Sequence, residues 1–140
     1  MIRGFTASCF DLLHAGHVLM LKEARANCDY LIVGLQTDPT IDRPEKNKPI
    51  QSVTERFIQL SGVKYVDEIV VYATETDLSE IIRGFNLNVR FVGEEYKDKD
   101  FTGKQYCLDN SIEIYYNNRR HSFSSSELRS RMSNARPSTP

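Results

Sequence analysis

Two histidines stand three residues apart in the stretch Ser8-Cys9-Phe10-Asp11-Leu12-Leu13-His14-Ala15-Gly16-His17. The chain has three histidines, so two are gathered here, beside a glycine. A short apolar run precedes them and a helix-like pattern follows. At a helix start, an i, i+3 spacing sets both side chains on one face. The unpaired N–H groups and the positive dipole end of such a helix attract anions. Two imidazoles at that end fit a triphosphate site, each able to donate a hydrogen bond to a phosphoryl oxygen as charge builds there. The spacing alone fits ordinary polar surface residues equally well.

A second anion-seeking stretch lies near the other end. Ser124, Ser125 and Ser126 precede Glu127, Leu128 and Met132, which read as a last helix. Serines at a helix start cap it, and they also present hydroxyls and N–H groups to an anion. Between these stretches, Asp42 to Pro49 is polar, flanked by prolines, and carries Lys46 and Lys48. It reads as an exposed loop. Asp38, before Pro39, fits a turn as well as a site. Glu94 and Glu95 are adjacent, and two neighbouring carboxylates alone specify no acid–base chemistry.

Composition narrows the classes. A chain of 140 residues with 40% hydrophobic residues can build one compact domain. We expect that domain over residues 1–132, with residues 133–140 as a disordered tail. A formal net charge of −1 supplies no global field for nucleic acid or an acidic membrane, so anion binding must use local cations. Cys9, Cys28 and Cys107 are widely spaced and form no metal-binding pattern, as reduced thiols of a cytoplasmic protein would. Arg3 interrupts a very short apolar start, which leaves no signal-peptide pattern, and no apolar run approaches the ~20 residues needed to span a bilayer.

The elements that must position these residues follow from periodicity. Ile2 to Ala7 reads as a strand, and Val18, Leu21, Ala24 and Cys28 recur at helical spacing. Tyr30 to Leu35 is a nearly continuous apolar run, as in a strand buried on both faces. Strand, helix and strand within about 35 residues predict a right-handed crossover and a parallel sheet. In such sheets ligands bind at the carboxyl ends of the strands, where His14, His17 and Asp38 would meet. Ser52 with Glu55 predicts the start of a second helix, with Val53, Phe57 and Leu60 as its apolar face. Ile69 to Tyr72 is a third strand, and Leu78, Ile81, Ile82 and Phe85 mark a third helix after a polar linker, Thr74 to Asp77. Val89 to Val92 and Ile112 to Tyr116 are two more strands, with a charged loop between them over Lys97 to Gln105. The expected fold is a three-layer, Rossmann-like α/β domain with a mainly parallel sheet of about five strands.

Phe10-Asp11-Leu12-Leu13-His14-Ala15-Gly16-His17 resembles the FDLLHxGH signature of the cytidylyltransferase family, whose HxGH core recurs across the wider nucleotidylyltransferase superfamily. The likeness extends over nearly the whole chain and is nearest to the branch acting on glycerol 3-phosphate. It implies transfer of CMP from CTP to a phosphorylated small alcohol, giving CDP-glycerol and pyrophosphate when the acceptor is glycerol 3-phosphate. Phosphoethanolamine, phosphocholine or a sugar phosphate stay open as acceptors. So do an ATP-using adenylyltransferase and a nucleotide-binding module without catalysis. The resemblance further implies Mg²⁺ carried by the CTP phosphates, a homodimer, and neither nucleic acid nor membrane as partner.

Residue by residue, the resemblance implies that His14 and His17 stabilise the reacting α-phosphate, that Lys46 or Lys48 bridges the two substrates, and that Arg119 holds the β- and γ-phosphates with Ser124, Ser125 and Ser126. Cys9, Phe10, Asp11, Ala15 and Gly16 would line the nucleotide site, joined by Asp38, Arg56, Lys64, Asp67, Gly93 and Glu94. Several positions depart from the family pattern. Ser8 and Cys9 replace Gly-Thr, and Lys64 replaces an arginine, keeping the charge without the bidentate fork. His121, Ser122 and Phe123 replace Glu-Gly-Ile, and Arg120 offers a second register for Arg119. No lysine or arginine lies between Glu68 and Glu80, where glycerol-3-phosphate enzymes carry a cation for the acceptor phosphate.

Overall fold

The computed structural model describes residues 1–118 and 123–135. Five strands form one sheet: β1 (Arg3–Ser8), β2 (Tyr30–Gln36), β3 (Glu68–Tyr72), β4 (Val89–Gly93) and β5 (Glu113–Asn117). Their spatial order is β3-β2-β1-β4-β5, and every neighbouring pair is parallel. Five helices alternate with them: α1 (Ala15–Ala26), α2 (Val53–Ser61), α3 (Glu75–Gly84), α4 (Lys104–Asp109) and α5 (Ser125–Asn134). The order reverses direction between β1 and β4, which opens a crevice above their carboxyl ends. This is the Rossmann-like α/β architecture expected from the alternating pattern.

The alternation of β2 shows how the layers form. Leu31, Val33 and Leu35 join Leu21 and Ala24 of α1 and Leu60 of α2 in one core. Ile32 points the other way, into a core with Phe5, Leu78 and Ile82 of α3 and Cys107 of α4. A strand covered on both faces must be apolar at nearly every position, and this one is.

Some elements differ from the sequence reading. α2 buries Arg56 and Leu60, whereas Phe57 is 41% exposed. Its inner face is therefore Val53, Arg56 and Leu60, with a guanidinium where an apolar side chain was expected. Thr74 to Asp77 is no linker: Thr74 caps α3, whose first turn holds Glu75 and Asp77. The loop after Lys97 contains α4, a helix of six residues and too short to show periodicity. α5 runs through Asn134, so Ser133 and Asn134 of the expected tail are helical.

Candidate active site

The crevice holds about 630 Å³. Its centre is the loop from β1 to α1, and this loop is strained by design. Phe10 and Leu12 both take left-handed backbone conformations, at φ 51° and 52°. A side chain there costs of order 1 kcal/mol or more and persists only when surroundings over-determine it. Those surroundings are visible. Phe10 is buried in the core with its ring 5.4 Å from that of His17. Asp11 accepts from the N–H groups of Ile50 and Gln51 at 3.0 Å each and from Arg129 Nη2 at 2.8 Å. The Asp11 carbonyl accepts from Ser125 Oγ at 3.0 Å. The N–H of Leu12 donates to Gln51 Oε1 at 2.8 Å. Burial alone would raise the Asp11 pKa, but the Ile50 and Gln51 N–H groups and Arg129 overcome it and hold the carboxyl below its ordinary value.

Arg56 braces the same loop from below. Only 2% exposed, it donates to four carbonyls: Gln51 at 3.1 Å, Cys9 at 2.9 Å, Gln36 at 2.6 Å and Thr37 at 2.6 Å. These come from the ends of β1 and β2 and the start of α2. One side chain thus ties three segments together at the crevice floor.

On that frame the histidines form a reciprocal cap. His14 is the N-cap of α1, and its Nδ1 accepts from the N–H of Gly16 at 3.0 Å. His17 Nδ1 accepts from the N–H of His14 at 3.2 Å. The rings lie 3.9 Å apart between centroids. With both Nδ1 atoms accepting, the proton of each neutral ring belongs on Nε2, so both Nε2 atoms are donors. No acidic residue occupies the first turn of α1, so the helix itself sets no carboxylate against its positive end.

His14, Gly16 and His17 line the crevice together with Cys9, Lys46, Gly93, Ser124 and Ser125. Ser124 is the N-cap of α5. Burial pushes the Cys9 thiol up. Other candidates lie elsewhere. Phe10, Asp11 and Arg56 hold the loop without lining the crevice. Asp38 caps the 3-10 turn Pro39–Ile41, accepting from Thr40 N and Thr40 Oγ1 at 2.9 and 2.6 Å. These bonds hold its carboxyl below the usual range. Lys48, close enough to Asp38 to add to that effect, does not line the crevice, and neither do Ala15 and Ser126. Glu95 lines it where Glu94 does not, a register shift of one set by the 3-10 turn Glu94–Tyr96. Arg119 and its alternative Arg120, with His121 and Ser122, lie outside the described residues.

Lys64 and Asp67 are placed at the wrong end. Both precede β3, and in a parallel sheet a helix-to-strand connection arrives at the amino ends, opposite the crevice. Asp67 there pairs with Arg25 at 2.9 Å and accepts from the Leu31 N–H at 2.8 Å, while Lys64 sits over the ring of Tyr65.

The crevice also contains residues that spacing did not reveal. Arg43 pairs with Glu75 at 2.8 Å, and Thr102 Oγ1 donates to the other Glu75 oxygen at 2.8 Å. Arg90 and Asn117 line the floor, buried, on β4 and β5. A charge within the apolar run Val89-Arg90-Phe91-Val92 was the one signal available for Arg90. Among the described residues no three His, Cys, Asp or Glu side chains gather closely enough to hold a metal ion. None of the described helices is long and apolar enough to cross a membrane.

Comparison with known proteins agrees with this geometry. Residues 5–131 match the family described as cytidylyltransferase-like. The bifunctional protein HldE of Caulobacter sp. (strain K31) is 41% identical over 106 residues, covering 75% of this chain and 22% of that protein. HldE of Rhodospirillum rubrum is 35% identical over 130 residues, covering 92% and 26%. The chain therefore spans about a quarter of the length of these relatives. The crystal structure of a lipopolysaccharide core biosynthesis protein from Thermoplasma volcanium superposes with a TM-score of 0.71 at 25% identity, covering 86% of this chain and 99% of that one. Pantothenate synthetase from Thermus thermophilus, at 12% identity and a TM-score of 0.65, shares the fold alone. With a match that runs from β1 into α5 and takes in the histidine loop, the chain belongs to the cytidylyltransferase-like family of nucleotidyltransferases.

Proposed function

We propose that the protein transfers a nucleoside monophosphate from a magnesium nucleoside triphosphate to the phosphate of a small acceptor. The carrying observation is the reciprocal histidine cap, which sets both imidazoles and the start of α1 on the wall of one crevice. A phosphate oxygen of the acceptor attacks the α-phosphorus, the bond to the bridging oxygen breaks, and pyrophosphate leaves with its electrons. The acceptor phosphate is already nucleophilic, so the protein positions groups and neutralises charge. His14 and His17 donate to the α-phosphate oxygens as charge accumulates. Lys46, on the loop from β2 to α2, supplies a cation between the two substrates, while Ser124, Ser125 and Arg119 hold the leaving pyrophosphate. The metal enters with the nucleotide, held mainly through its phosphates.

CTP is the nucleotide favoured by the FDLLHAGH stretch. For the acceptor, a sugar phosphate is supported over glycerol 3-phosphate by the likeness to a lipopolysaccharide core biosynthesis protein, and by the missing cation between Glu68 and Glu80. Exposed Phe57, Ile58 and Val71, on α2 and the edge strand β3, suit a homodimer contact. The test is pyrophosphate release with Mg²⁺, offering CTP and ATP in turn with sugar phosphates, glycerol 3-phosphate, phosphoethanolamine and phosphocholine. Release with CTP and one acceptor is expected. Release with ATP alone overturns the cytidine reading, and nucleotide binding without release on any acceptor overturns transfer.

A further inference from the structure

Three buried side-chain nitrogens among the described residues have no hydrogen-bond partner: Nε of Arg43, Nε of Arg90 and Nδ2 of Asn117. All three are donors, and all three belong to residues that line the crevice. Buried donors are rarely left unpaired, since each forfeits its hydration without return. Their concentration in one cavity marks it as built for an acceptor-rich ligand.

Two of the three, on Arg43 and Arg90, belong to one connected cluster. Arg90, the second residue of β4, is 5% exposed. Its neighbours Val89 and Phe91 serve the core under α1, so Arg90 turns to the opposite face, under α3 and α4. There Nη1 donates to the Thr102 carbonyl at 2.5 Å, and the guanidinium lies 5.2 Å from the Phe101 ring centre. Gly103 makes this approach possible at φ 84°: a Cβ would stand 3.0 Å from Arg90 Nη1 and 2.5 Å from Ile82 Cδ1. Among the described residues Arg90 makes no ion pair. The nearby carboxylate of Glu75 is already engaged, one oxygen by Arg43 and the other by Thr102.

We propose that Arg90, with Arg43, is the subsite for the acceptor's phosphate. The assignment rests on the transfer reading above and adds where the second substrate binds. In-line displacement places nucleophile and leaving group on opposite sides of the α-phosphorus. With pyrophosphate held at Ser124 and Ser125, where α5 meets Asp11 beside the starts of α1 and α2, the nucleophile enters from the side of α3 and α4. Arg43, paired to Glu75 at the start of α3, and Arg90, turned toward α3 and α4, stand on that side. The cation missing from Glu68 to Glu80 is thus supplied from the loop after β2 and from within β4.

The experiment uses the full chain and its best acceptor, with Arg90→Gln, Arg90→Lys and Arg43→Gln. Arg90→Gln should raise the acceptor KM about 10- to 100-fold while the nucleotide KM stays within about twofold, and Arg90→Lys should recover part of the loss. Arg43 is half-buried, so Arg43→Gln tests the same subsite if Arg90→Gln does not fold. An unchanged acceptor KM, or a nucleotide KM that rises in step, overturns the proposal. A separate arm needs no turnover. Inorganic phosphate should raise the Tm of the wild type more than that of Arg43→Gln or Arg90→Gln. Equal protection in all three overturns the subsite. Unequal protection in a protein inactive on every acceptor upholds the subsite and rejects the transfer reading alone.

Discussion

α1 and α2 begin with the same hydrogen-bonding device made of different residues. At α2, Ser52 accepts from Glu55 N at 3.1 Å and Glu55 accepts from Ser52 N at 3.1 Å. At α1, His14 and His17 take the two positions. The serine–glutamate box satisfies the backbone and places a negative charge against the helix dipole, so that end is closed to anions. The histidine box satisfies the backbone with one nitrogen of each ring and keeps the other as a donor, without adding negative charge. α3 follows α2, with Thr74 and Asp77. Capping therefore stabilises all three helices, but at α1 alone among them is it done by two imidazoles rather than by a hydroxyl and a carboxylate.

The largest effect expected from breaking this contrast is on rate. His14→Ala should lower kcat by about 10²- to 10³-fold with a smaller change in nucleotide KM, because its donor acts most strongly on the developing charge. Steady-state pyrophosphate release measures it, and near-normal turnover would remove the histidine cap from the mechanism.

The next effect is on stability and belongs to α2, whose part is to brace the site. Arg56→Met should cost about 3 kcal/mol in urea unfolding, because four carbonyls lose a charged donor together. A loss under about 1 kcal/mol would show that water replaces Arg56 at little cost.

Rebuilding α1 in the image of α2 sharpens the comparison. His17→Glu keeps an acceptor for the His14 N–H but sets a carboxylate where the transfer proposal puts phosphate. The Tm should change little while nucleotide KM rises about tenfold or more. An unchanged KM would mean that the helix start does not bind phosphate.

Asp11 links the two helix starts and gives a pH signature. Its folded-state pKa is lowered, so its stabilisation is full above the ordinary carboxylate value and is lost as pH falls through the lower folded one. Asp11→Asn should destabilise the protein at pH 7, and the gap should narrow at acid pH, read by urea unfolding across that range. Smallest of all, Ser52→Ala should cost about 1 kcal/mol and leave kcat unchanged, as expected of a cap with no further role.

Much of this molecule was legible in short-range pattern. The β–α alternation, the continuous apolar run of β2, and the Ser52–Glu55 box are relations among residues a few positions apart, and the structure contains all three. The shared face of His14 and His17 is of the same kind, while their reciprocal capping bonds appear only in the structure. α4 escaped because six residues carry too little periodicity, and Phe57 was misplaced because helical spacing marks a stripe without saying which edge of it faces inward.

What the tertiary structure alone decided concerns polar groups whose partners are distant in sequence. Asp11 meets Ile50, Gln51 and Arg129, and Arg56 meets Cys9, Gln36 and Thr37. The family resemblance set both among the substrate-site residues; in the structure their bonds brace the loop. Lys64 bears a charge suited to a phosphate, yet it and Asp67 stand at the amino ends of the strands, because the crossover from α2 into β3 delivers them there. Arg90 reads as an anomaly in an apolar strand until the strand order brings Thr102, Phe101 and Glu75 around it. The sequence by itself determined the longer elements and the shared face of His14 and His17, since both depend on neighbours three or four residues away. Which charges share the crevice depended on strand order and burial, and these exist only once the chain has folded.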